Sequence, residues 1–131
     1  MAAARPRRLD VIGILDTNAV LYLLGGRVAS PPEPGIYGIS IITEMELLAW
    51  PSLATDDEQS IRAFVNRVVV CELTPRIRAT AVRLRRDFRL KLPDAIVCAT
   101  ALECQVPLFT NDEQLGRIPT LVIRNLALSP P

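Results

Sequence analysis

"VIGILDTNAV" (Val11–Val20) sets a run of aliphatic residues directly against an acid. Val11, Ile12, Ile14 and Leu15 read as a short strand covered on both faces, because an unbroken apolar stretch, not an alternating one, marks a strand inside a parallel sheet. The run ends at Asp16, with Thr17 and Asn18 behind it. An ionised carboxylate at the tip of a buried strand is costly unless a hydrogen bond or a counter-charge holds it. The carboxyl ends of strands are also where open α/β sheets gather ligands.

Outward from that strand the pattern repeats. "DVIGIL" is followed by a helical stretch from Asn18 to Leu24, which stops at Gly25-Gly26, and "SPPEPG" makes a rigid loop. "IYGISII" reads as a second strand, with a helix starting at Thr43 and ending near Trp50-Pro51, another from about Asp57 to Arg67, and "VVVCEL" as a third strand. Ile77, Ala81, Leu84 and Phe88 fall at i, i+4, i+7 and i+11, an apolar stripe that makes the following segment an amphipathic helix. A further helix begins at Pro93 and carries Ala95, Cys98, Ala99 and Leu102 toward a close-packed face. "VPLFT" and "TLVIRN" complete the set, with a short helix from about Asp112 to Gly116 between them. Strands separated by helices predict a three-layer α/β/α domain with a mainly parallel sheet of about five strands, since right-handed crossovers put each helix on a face. That domain is expected to span residues 9–131, after a flexible basic extension over residues 1–8.

Composition narrows the chemistry. The 131 residues are half hydrophobic, enough for one core, yet no apolar run approaches the roughly 18 residues of a membrane span, and "MAAARPRR" lacks the features of a secretory signal. A soluble, cytoplasmic protein is expected. Cys71, Cys98 and Cys104 form no Cys-x-x-Cys pair and read as buried free thiols. The chain contains no histidine, which excludes imidazole bases, Ser-His and Cys-His nucleophiles and His-ligated metals. Net charge is only +1, but Arg76, Arg78, Arg83, Arg85, Arg86, Arg89 and Lys91 crowd one segment, either as a solvated helix face or as a phosphate-contacting surface.

Carboxylates remain, and they recur at strand ends. Glu44 and Glu46 open the helix after the second strand, Asp94 stands in the first turn of a helix with Pro93 as its first residue, and Asp112 lies just past the fourth strand. Each acid has a plain structural reading: Asp16 and Asp112 as helix caps, Glu46 in a capping box with Thr43, and Asp94 at the positive end of a helix dipole. Those readings leave the shared edge unexplained. Two carboxylates ~6 Å apart repel by about 3 kcal/mol at an effective dielectric near 20, so six such pairs approach ~17 kcal/mol before screening. That rivals a domain's whole stability of roughly 5 to 15 kcal/mol. A divalent cation relieves it most directly, and oxygen-only ligands favour Mg²⁺ or Mn²⁺ over zinc. Glu44 and Glu46 stand about 200° apart around a helix, so one of them faces the site easily. Glu46, sharing a face with Thr43 and Trp50, is the choice.

With these residues in place the chain resembles the PIN-domain ribonucleases, and within them the small VapC-type toxins of toxin-antitoxin pairs. The matching pieces are "LDTNAVLYLL", "ISIITEMELL", "LPDAIVCATAL" and "LFTNDEQL", in family order, spanning about Val11 to Leu115. The resemblance assigns the acidic positions to Asp16, Glu46, Asp94 and Asp112 and polar support to Thr17, Asn18 and Thr110. It departs at Leu115, where the family commonly has an aromatic residue. It implies Mg²⁺- or Mn²⁺-dependent endonucleolytic cleavage of RNA, a homodimer, and silencing by a cognate antitoxin. Arg78, Arg85 and Arg89 are then the candidates for contact with RNA, with Arg5, Arg7 and Arg8 as a second patch. Trp50 reads as core packing, with a place in a partner groove as its alternative. A phosphorelay receiver domain would need a paired acid after the first strand and a lysine near the last, and a haloacid-dehalogenase-like phosphatase would need Asp-x-Asp where this chain has "DTN". The alternative class is a catalytically silent PIN-like module that binds RNA or protein.

Overall fold

The computed structural model describes residues 5–130. Five strands, β1 (Gly13–Leu15), β2 (Tyr37–Ser40), β3 (Val69–Cys71), β4 (Leu108–Phe109) and β5 (Ile123–Arg124), pair in parallel in the order β3-β2-β1-β4-β5. Five helices connect or cover them: α1 (Thr17–Leu24), α2 (Ile41–Leu48), α3 (Thr55–Val65), α4 (Pro75–Phe88) and α5 (Leu92–Cys104). Short 3₁₀ turns cover Arg8–Asp10 and Glu113–Arg117.

Adjacent residues of β1 show how the layers arise. Ile14 joins a core with Ile77, Ala81 and Leu84 of α4 and Ala95, Cys98 and Ala99 of α5. Leu15, one residue on and pointing to the other face, joins Ala19 and Val20 of α1, Leu47 of α2, and Ile61 and Phe64 of α3. The sheet is therefore sandwiched between α4 and α5 on one side and α1, α2 and α3 on the other. From β1 the chain steps outward through β2 to β3, then returns to the opposite side of β1 through β4. That reversal opens a crevice at the carboxyl ends of β1 and β4, the place where such sheets bind ligands.

Several boundaries differ from the sequence expectation. The second helix begins at Ile41, not Thr43, because the Ser40 hydroxyl accepts a hydrogen bond from the Ile42 N–H (3.2 Å) and turns the chain out of the sheet. Ile41 and Ile42, β-branched and locally suited to a strand, are overruled by that cap. The expected Thr43–Glu46 capping box is accordingly absent: Thr43 is fully buried within the helix, and Glu46 bonds elsewhere. The third helix starts two residues earlier than expected, and Pro93 is the second residue of α5 because Lys91 is its N-cap. Strands are shorter than their apolar runs, and the segment after Asp112 is a 3₁₀ turn. Trp50 is 67% exposed, so its expected core packing is overturned; it lies past Ala49, the C-cap of α2, where the chain has left the core.

Of the basic extension, residues 1–4 lie outside the described residues. The Arg7 N–H donates to Asp10 Oδ2 (2.8 Å), starting the turn that leads into β1. Cys71 and Cys98 are buried, Cys104 is half-buried, and all three are free thiols. Among the described residues no helix is long and apolar enough to cross a membrane.

The seat of β1 is tight. A Cβ added at Gly13 would stand 2.5 Å from Phe109 Cε1 and 2.9 Å from Cδ1, on a ring that packs edge-on against Tyr37 with centroids 5.3 Å apart. Gly13→Ala is expected to cost about 1–3 kcal/mol in urea unfolding, as overpacking does. Gly116→Ala, with nothing within 4 Å of the new methyl, should change stability by no more than about 0.5 kcal/mol. Equal stability of Gly13→Ala and the wild type would contradict this packing.

Candidate functional site

Four chain segments deliver one acid each to the crevice. Asp16 follows β1 and caps α1, its Oδ1 accepting from the Ala19 N–H (2.7 Å). Asp112 follows β4, and its Oδ1 accepts from the Gln114 N–H (3.0 Å). Asp94 stands in the first turn of α5, and Glu46 in the last turn of α2. Thr110, fully buried, links the first two: its hydroxyl donates to the Asp16 carboxylate while its oxygen accepts from the Asp112 N–H (3.0 Å). Thr17 donates to Glu46 Oε1 at 2.7 Å, with Thr43 Oγ1 3.2 Å away, so a residue of α1 orients the acid of α2.

These acids, with Thr17 and Asn18, line one cavity of about 820 Å³. Glu44 is not among its lining residues. Among the described residues no lysine or arginine lines it either. Arg78, Arg85 and Arg89 are exposed on and just beyond α4, outside the cavity wall, and Arg85 Nη1 donates to the Leu90 carbonyl (2.6 Å), tying the loop between α4 and α5.

The shared field is visible in the titration of the acids. Burial raises the Asp16 carboxyl above the usual range against the pull of the Thr110 and Ala19 hydrogen bonds, and Asp112 and Glu46 add to the rise. Asp94 is also raised, first by burial, then by Asp112 and Glu46, with Lys91 opposing and Asp16 adding a smaller share. Beneath them the Cys98 thiol is pushed up to about 12, by burial and then by the charges of Asp94, Asp16 and Asp112. It stays protonated at neutral pH and is no nucleophile. Among the described residues no group of three or more acidic or cysteine side chains is placed to hold a metal ion by itself. The acids share a cavity and a field, and each of Asp16, Glu46 and Asp112 has one oxygen engaged by a protein donor.

Sequence reasoning missed the roles of two residues near this site. The sequence places Thr43 as a cap on the face of Glu46, without its contact with the Thr17 hydroxyl. Asn111 uses both ends of its amide on the Leu126 backbone, with Oδ1 accepting at 2.7 Å and Nδ2 donating at 3.0 Å, which pins the C-terminal segment beside the end of β4. Its one sequence signal is its place between Thr110 and Asp112. Trp50 lines the same cavity as the acids, as the face it shares with Glu46 suggested.

The match to the PIN domain family model covers residues 13–121, and the chain belongs to that family. No curated protein matches the sequence directly. Among solved structures, the chain is similar to a component of a toxin-antitoxin complex from Klebsiella pneumoniae, with 32% identity, a TM-score of 0.69, and 84% of this chain and 95% of that chain covered. It shares its fold with a component of VapBC2 from Rickettsia felis bound to a promoter DNA fragment (18% identity, TM-score 0.74, 88% and 99% covered). DNA-bound VapBC from Salmonella typhimurium gives a similar match (20% identity, TM-score 0.73, 88% and 98% covered).

The raised carboxyls set the sign of a pH effect. Asp16 and Asp94 hold their protons more tightly folded than unfolded, so in metal-free buffer their contribution to stability is greatest below the ordinary carboxylate value of 3.8 and is lost as pH rises through the folded values. Asp94→Asn should flatten that decline and raise the metal-free melting temperature at pH 7. A variant that melts lower than wild type there, with the same pH profile, would show that Asp94 is held by attraction instead.

Proposed function

We propose that the chain is a metal-dependent endoribonuclease acting as the toxin of a type II toxin-antitoxin pair. The observation that carries this reading is the convergence of Asp16, Glu46, Asp94 and Asp112, from four separate segments, on one cavity whose lining among the described residues holds no cation. All-oxygen donors in mutual repulsion fit a hard divalent ion, Mg²⁺ or Mn²⁺. Mg²⁺ characteristically keeps several waters and is bound through one or two carboxylates plus the oxygens of a substrate phosphate. Asp16 and Asp94, the two most buried of the four acids, would be the principal ligands, with Glu46 and Asp112 completing the set.

When bound, such an ion polarises the scissile phosphate and lowers the pKa of water beside it. The chain's own residues supply the rest. Thr110 holds Asp16 and the backbone of Asp112 in register, and Thr17 aims Glu46. A carboxylate oxygen left free of the ion would accept the proton of the attacking water as its oxygen bonds to phosphorus; the phosphorus–oxygen bond opposite breaks, and the departing ribose oxygen takes a proton from solvent, with no covalent protein intermediate. Asn18, exposed at the mouth, is within the polar support. The arginines of α4, with Arg78, Arg85 and Arg89 foremost, offset the acids' field for an approaching RNA strand.

A cognate antitoxin, a homodimeric state and a cytoplasmic location follow from the same reading, supported by likeness to chains solved within toxin-antitoxin complexes. The absence, among the described residues, of a side-chain group placed to hold a metal ion by itself favours one second reading, a silent module that binds RNA without cutting it. A single-stranded RNA assay in Mg²⁺ separates the two. Asp16→Asn and Asp94→Asn should each lower cleavage by at least about 100-fold, the scale on which general acid–base groups act. Millimolar Mg²⁺ or Mn²⁺ should raise the wild-type melting temperature, and Asp94→Asn should weaken that response. Equal cleavage by wild type and variants would reveal a contaminating nuclease, and a metal-insensitive protein that cuts nothing would leave the silent module.

A further inference from the structure

The cavity is larger than a phosphate and its ion require, within the range that holds a drug-sized ligand. Beyond the acids its wall becomes apolar, with Leu21, Leu47, Leu53 and Ile61, and among the described residues Trp50 is its one aromatic residue. Trp50 lies just past the C-cap of α2, the helix that carries Glu46, and is 67% exposed where a core residue would be covered. Asp57 lies in the same wall. A strand's sugar-phosphate backbone is repelled from that end, whereas the neutral face of a base is not.

We propose that Trp50 is the stacking platform for a base beside the scissile phosphate, making it a positioning and specificity-determining residue. The proposal rests on the nuclease reading above. A phosphate held at the acids sends its neighbouring base along the cavity, and an indole face is the surface on which a base stacks. Stacking of this kind is sequence-tolerant, so Trp50 would set how the strand is registered against the acids and favour the bases that stack most strongly.

Trp50 is the only tryptophan of the chain, so its emission reports on the contact directly. The full-length protein in Mg²⁺ is mixed rapidly with a single-stranded RNA oligomer, and with the same oligomer carrying an abasic nucleotide beside the cleaved bond. Emission should be quenched by the first before product forms and much less by the second. Trp50→Ala should lose about tenfold or more in kcat/KM, mainly through KM, Trp50→Phe should stay within about threefold, and the abasic RNA should penalise wild type but not Trp50→Ala. Quenching by intact RNA without any cleavage would support the platform while removing the nuclease reading. Unchanged emission and unchanged kcat/KM in Trp50→Ala would overturn the platform and leave the nuclease reading standing. Trp50→Ala that cuts normally but escapes inhibition by a bound antitoxin would assign this wall to a protein partner and overturn the proposal too. If wild type neither cuts nor is quenched, both readings fail.

Discussion

Like charge gathered at the carboxyl edge of a parallel sheet is the constraint on which the rest of this molecule turns. The strand order reverses between β1 and β4, and the ends of those two strands carry Asp16 and Asp112. The helices that cover opposite faces of the sheet bring Asp94 and Glu46 to the same crevice. Nothing in the packing requires acids there. For three of the four the fold bears the cost through hydrogen bonds: Asp16 through the Ala19 N–H and Thr110, Glu46 through Thr17, and Asp112 through the Gln114 N–H. Those bonds offset only part of the cost, since burial and mutual repulsion still raise Asp16 and Asp94.

The same bonds serve geometry. Thr110 has no exposed surface and one task, to join the end of β1 to the end of β4 through its hydroxyl. Thr17 of α1 does the equivalent for Glu46 of α2, with the Thr43 hydroxyl beside it. Thr110 and Thr17 thus hold acids from separate elements in a fixed relation while leaving carboxylate oxygens facing the cavity. A hydroxyl bonded to an ionised carboxylate is worth more than one bonded to a neutral group. Cys98 beneath it, held protonated by the same field, adds packing without chemistry.

Much of this was legible in the sequence because it is local. The aliphatic run ending at Asp16 marks a central strand and its tip, the alternation of strands and helices marks the layered parallel sheet, and acids at strand ends mark the crevice. What was illegible is long-range. Ser40 and Thr43 are both good caps, and only the burial of Thr43 against α1 decides that Ser40 ends the strand. Trp50 looks like a core residue until the end of α2 is fixed two residues before it. Asn111 pairs with Leu126, fifteen residues on, and no period in the sequence announces such a pair. The arginines of α4 were readable as an exposed face, but that none of them lines the cavity is a fact of the tertiary arrangement.

The convergence of the four acids into one electrostatic unit is tested most directly by adding substoichiometric Mn²⁺ to ¹⁵N-labelled protein and following paramagnetic broadening of its amide signals. The account predicts that the amides around Asp16, Glu46, Asp94 and Asp112 broaden together at the same low metal concentration, ahead of every other acidic position, and recover with a chelator. Broadening that begins at exposed acids elsewhere, or that reaches these four segments at widely separated metal concentrations, would contradict it.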